Sequence, residues 1–191
     1  FFCTLVCFYF TIQPVKACKL WAVSSKASPF STLSLSELQE IEIQLISFFH
    51  QSETMMDGWS LLSYSDINMD SLHFIQRSNI PARQDSTLYW SSVEKILNDS
   101  ISSVALGHLR MASSGANSIP NPHPWIFYKN GKSFSLIHNG TVNKNILYDL
   151  ITDEGNDISW LESNPPQTFG GGDWRDNGWG NVIDSELILL L

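Results

Sequence analysis

The sequence is short of cysteine, of basic charge and of long apolar runs. Only three cysteines occur in 191 residues, which excludes a small scaffold stapled by several disulfides. Lys and Arg total 11 against 19 Asp and Glu, for a net charge of −8, and no basic cluster interrupts that balance. A nucleic-acid backbone or an anionic membrane surface is therefore not an expected partner. The longest apolar run spans residues 1–12, well under the roughly 20 residues a membrane-crossing helix requires. No internal repeat and no linker divides the chain. What is present is material for a core: 43% hydrophobic residues, seven Trp and eleven Phe. That suits one ordinary domain.

The apolar run ends in Gln13-Pro14-Val15-Lys16-Ala17 and is followed by Cys18. Small residues closing a run of that length fit a secretory leader over residues 1–17 and its cleavage site. The leader lacks a basic start and an initiating Met, and the chain stops inside the apolar stretch that follows Asp184. Both ends are accordingly read as truncated. Cutting after Ala17 leaves Cys18 as an amino terminus, a thiol nucleophile beside its own amine. The plainer alternative makes residues 1–12 a buried element and Cys18 a core thiol. Cysteine bookkeeping favours the first: with Cys3 and Cys7 in the leader, a processed chain keeps Cys18 alone, with no intramolecular partner.

Downstream, residues 18–24 alternate and predict a short strand. Ser34-Leu35-Ser36-Glu37 forms a capping box ahead of Leu38, Ile41, Leu45 and Phe48, which share one helix face. A turn at Met56-Asp57-Gly58-Trp59 leads into a strand over 60–65, paired as a hairpin with 71–77 across Asn68-Met69-Asp70. Pro81 precedes a helix over 86–97. Strands follow at 102–111, 125–128 and 132–138, then a short helix. Residues 153–180 show no period and read as a long functional loop. The fold class expected is α+β, with helices covering the sheet faces.

Several stretches carry chemistry. Gly107-His108-Leu109-Arg110 ends a hydrophobic strand on an Arg, suited to gripping a carboxylate or to a structural ion pair. Asn121-Pro122-His123-Pro124 is a rigid turn holding a His. His138-Asn139-Gly140 is either a tight hairpin or an oxyanion hole made of the Asn amide and a Gly N–H. His108, His123 and His138 with Asp184 or Glu186 offer metal-binding side chains. None has the short spacing of a zinc motif, and neither metal nor cofactor is expected.

Taken in order, these motifs resemble class II glutamine amidotransferases, which are N-terminal-nucleophile hydrolases. Cys18, Gly107-His108-Leu109-Arg110 with Ser113-Ser114-Gly115, the His123 turn, His138-Asn139-Gly140 and Asp184-Ser185-Glu186 carry the likeness over residues 18–191. Asp57-Gly58-Trp59 is similar to a block of stand-alone members. The resemblance implies an αββα four-layer sandwich and a small-molecule substrate, glutamine or a γ-glutamyl compound. It implies Cys18 as nucleophile, Asn139 and Gly140 as oxyanion hole, and Arg110, Ser113 and Asp184 as substrate-binding residues, with His123 and His138 in support. Met111 and Ser114 stand where synthase members carry Trp and His, and Ile183 where a small hydroxyl residue is usual.

With no second domain to receive ammonia, the resemblance implies a free-standing amidohydrolase rather than the glutaminase half of a synthase. If the leader is real, the protein is exported to a bacterial or archaeal envelope. The glycosylation pattern at Asn139-Gly140-Thr141 would block the site in a eukaryotic secretory route. Two alternatives remain at this level. One is a lipoprotein acylated at Cys18, the other a cytoplasmic protein whose Cys18 is bared by removal of a preceding Met. No motif specifies an oligomeric state.

Overall fold

A computed structural model describes residues 17–26, 28–65, 72–112, 115, 121, 123–169 and 173–191. The chain is mixed α+β, with antiparallel sheets and five α-helices among the described residues. Residues 1–16, the 68–70 turn, Ser113, Ser114, Pro122 and Gly170-Gly171-Gly172 lie outside the described residues.

A four-stranded sheet forms the centre. Its strands are β1 (Lys19–Ser24), β2 (Trp59–Ser65), β3 (Leu72–Ser78) and β4 (Ser102–Leu109), in the order β1-β4-β2-β3. Its register fixes which side chains share a face. Gly107 stands opposite Trp21 and Leu61, while His108 stands opposite Leu20 and Ser60. The Gly107 face is covered by α1 (Leu35–Gln51) and α2 (Ser86–Leu97), which bury Ile41, Leu45, Phe48, Tyr89 and Val93 against Trp59, Leu61 and Leu109. The helix is so close that a Cβ on Gly107 would lie 3.0 Å from Phe48 and 3.1 Å from Leu61.

Helix α1 begins as its sequence requires. The Ser34 hydroxyl accepts from the Glu37 amide and the Glu37 carboxylate accepts from the Ser34 amide, closing the capping box. On the opposite face of the central sheet, the polar row that includes Ser60 and His108 meets a second layer. Ser60 donates to the His123 carbonyl and the Arg77 guanidinium to the Pro124 carbonyl. The second layer is the hairpin of β5 (Trp125–Lys129) and β6 (Lys132–Leu136). It turns through Asn130-Gly131, both at positive φ, the pair a two-residue hairpin needs. Helices α3 (Lys144–Thr152) and α5 (Asp184–Leu190) pack with this hairpin around a second core built on Leu147, Leu161, Trp174 and Leu187.

Three expectations from sequence shift in detail. Strand β4 stops at Leu109 rather than residue 111, because the Asp57 carboxylate takes the Ala112 amide at 2.7 Å and draws the chain out of the ladder. Strand β6 stops at Leu136 rather than 138, since His138 is held by Ser185 and Asn139 by the Cys18 carbonyl. The 153–180 stretch contains α4 (Ser159–Ser163) and 3-10 turns at Gln167–Phe169 and Trp179–Asn181. Elements that short leave no readable period. Among the described residues, no helix is long and apolar enough to cross a membrane.

Candidate active site

Where β1 begins and β4 ends, side by side in the central sheet, the chain encloses a cavity of about 150 Å³. Cys18 lies on its wall, immediately before β1. The Cys18 Sγ lies 3.4 Å from both the amide nitrogen and the carbonyl oxygen of Met111. The Met111 amide can thus donate to the sulfur and its carbonyl accept the thiol proton. Both partners come from the segment that has just left β4, so the position of the thiol depends on where that strand ends.

That segment is set by Asp57 and Gly58. The Arg110 amide donates to the Gly58 carbonyl at 2.9 Å, the Asp57 amide donates to the Arg110 carbonyl at 3.1 Å, and the Asp57 carboxylate caps Ala112. Arg110 is only 4% exposed and lines the cavity. Burial works against its charge and lowers its pKa; the charges of Asp57 and then Cys18 oppose that loss. A guanidinium remains protonated through such a shift.

His123 lines the cavity beside it, one residue ahead of a cis peptide to Pro124. Its pKa is pushed down to about 4, chiefly by burial and further by His138 and Arg110, against the opposing pull of Asp184 and a hydrogen bond to the His138 backbone. His108 stacks on it with ring centroids 4.5 Å apart. The fully buried His108 ring is also driven well below its ordinary value, by burial first and then by His123 and Arg110. Both rings are therefore neutral at pH 7.

On the facing wall, Asn139 Nδ2 donates to the Cys18 carbonyl at 3.0 Å, leaving its second hydrogen for another acceptor. Gly140 follows, in the connection between β6 and α3 rather than in a hairpin turn. A Cβ at Gly140 would stand 2.8 Å from His138 Nε2, so the ring can lie there only because residue 140 has no side chain. Asp184, the first residue of α5, is 8% exposed. Its Oδ2 accepts from the Val142 amide at 2.7 Å and its Oδ1 from the Ser185 amide at 2.9 Å.

The cavity thus gathers Cys18, Arg110, His123, His138, Asn139, Gly140 and Asp184, all singled out from sequence. Ser113 lies outside the described residues. Glu186, weighed above as a metal ligand, turns away from the cavity. Buried, it accepts from the Gln167 and Thr168 amides and the Thr168 hydroxyl, and burial raises its pKa against those bonds. Among the described residues, no group of three or more His, Cys, Asp or Glu is placed to hold a metal ion. Two contributors were not foreseen as such. Asp57 carries no site role in the sequence beyond its turn and the resemblance of Asp57-Gly58-Trp59 to a family block, and Ser185 no signal beyond its place in Asp184-Ser185-Glu186.

An uncharacterized protein of Methanocaldococcus jannaschii is 28% identical over 107 residues, covering 53% of this chain and 26% of that protein. The chain therefore spans well under two thirds of that relative's length. No family profile matches the chain, and no solved structure matches it.

Proposed function

We propose that this chain is a class II glutamine amidotransferase-type domain acting as an amidohydrolase. It cleaves the side-chain amide of glutamine or of a γ-glutamyl compound. The observation that carries this is convergence: Cys18, Arg110, Asn139, Gly140 and Asp184 come from separate stretches of sequence and line one cavity. The placement of α1 and α2 against the central sheet, and of α3 and α5 against the hairpin, is consistent with an αββα sandwich.

In this scheme the chain is cut between Ala17 and Cys18. Ala17 itself lines the cavity, so the cut opens space there and creates an amine. That amine has a pKa of about 7.7–8.0 and is a competent base near neutrality, whereas the amide nitrogen of an internal Cys18 has no basic lone pair. It takes the thiol proton, and the Met111 amide supports the resulting thiolate. The sulfur adds to the substrate amide carbon, and the oxyanion is held by the second Asn139 Nδ2 hydrogen and the Gly140 N–H. Collapse expels ammonia or an amine, which leaves with the proton returned from the α-ammonium. Water then adds to the γ-glutamyl thioester, giving its proton to the same amine, and glutamate departs as Cys18 is regenerated.

Arg110 and Asp184 supply the two charges that a zwitterionic amino acid requires. The guanidinium suits the α-carboxylate and the carboxylate suits the α-ammonium. Export across a membrane by the leader accompanies the same cut. The test is Asn139→Ala, expected to lower glutamine turnover by about 10²- to 10³-fold with an unchanged thermal unfolding midpoint. Near-normal hydrolysis by that variant would refute the assignment.

A further inference from the structure

The oxyanion residues sit on a span of chain anchored at both ends to the start of α5. At one end, His138 Nδ1 lies 2.9 Å from Ser185 Oγ; at the other, the Val142 amide donates to Asp184 Oδ2. Asn139 and Gly140 lie between. The Asp184 anchor also has an assigned part in binding substrate. The Ser185 anchor has none, although its side chain is 2% exposed and faces the cavity.

Ser185 is not there to cap the helix. The N-cap of α5 is Ile183, which makes no side-chain cap bond, and the Ser185 hydroxyl is directed at His138. The hydroxyl also lies 3.4 Å from Asp184 Oδ1, to which it can donate. With its proton given to the carboxylate, Oγ is left to accept from the ring. That order requires the His138 proton on Nδ1. Nε2 is the atom that occupies the space a Cβ at position 140 would fill. Ring orientation, tautomer and the path of the chain at Gly140 are thus coupled through one hydroxyl.

We propose that Ser185 is a positioning residue of the reaction. By fixing the His138 tautomer and ring it holds Asn139 and Gly140 at the distance from Cys18 that an oxyanion hole requires. It touches no reacting atom, and its part rests on the proposed amidohydrolase function. Because the hole is used in the transition state, loosening it should lower kcat and leave substrate binding nearly untouched.

Two measurements decide it. The first compares glutamine hydrolysis by wild type, Ser185→Ala and Ser185→Thr, each beginning at Cys18. Ser185→Ala should lose about 10- to 100-fold in kcat with KM within about twofold, and Ser185→Thr, which keeps the hydroxyl, should recover most of it. An unchanged kcat, a rise in KM alone, or a Thr variant as impaired as Ala overturns the proposal. The second is imidazole nitrogen NMR of the full chain, which needs no turnover. His138 should carry its proton on Nδ1 in wild type and lose that preference in Ser185→Ala. A wild-type ring protonated on Nε2, or one indifferent to the substitution, overturns it. Wild-type protein inactive on both glutamine and γ-glutamyl amides would sink the proposed function, while the NMR result would still decide whether Ser185 sets His138.

Discussion

His123 illustrates how burial and charge act on a single side chain at the cavity wall. Its folded pKa of about 4 lies below the ordinary 6.5, so protons bind the unfolded chain more readily than the folded one. Stability from this group is complete above pH 6.5 and is lost as pH falls towards 4, because the folded ring resists charging through its burial first and then beside His138 and Arg110. The loss is roughly 3 kcal/mol across that window. Urea denaturation at pH 7 and pH 4.5 should show it, and His123→Gln should flatten that part of the profile. A profile no flatter in the variant would contradict the assignment of the slope to His123. The other residue-scale feature is Asp57, whose carboxylate holds Ala112 and whose backbone holds Arg110. It thereby sets the segment to which the thiol is bonded.

At the scale of elements, the site depends on where strands stop. β4 and β6 both end two residues short of what hydrophobic alternation predicts, and of the released residues Arg110, Met111 and His138 line the cavity. Alternation records which face a side chain belongs to. It does not record a competing acceptor from a remote stretch, such as the Asp57 carboxylate or the Ser185 hydroxyl. The capping box at Ser34 and the α2 boundaries were legible because their determinants are local in sequence. Helix α4 was not, because one turn of helix does not establish a period. Gly107 links element packing to the site, standing one residue before His108 and three before Arg110. Replacing it with Ala forces a Cβ to 3.0 Å from Phe48. The cost expected is about 1–3 kcal/mol of stability by denaturant titration. A Gly107→Ala protein as stable as wild type would mean that α1 packs less closely than described.

Across the whole molecule, residues from five stretches of sequence are brought to one cavity by a central sheet that carries helices on one face and polar contacts on the other. The candidate residues could be named from motifs, but their convergence could not, since it depends on β1 lying next to β4 and on α5 reaching back to the 138–142 segment. In the proposed function Cys18 acts with its own amine, and freeing this amine switches the site on. The most direct measurement is ammonia release from L-glutamine by the chain beginning at Cys18, set beside the same chain still carrying residues 1–17. Turnover, and a γ-glutamyl adduct on Cys18 by mass, are expected in the first alone. Equal activity in both, or no adduct on Cys18 in the cut protein, would contradict that function.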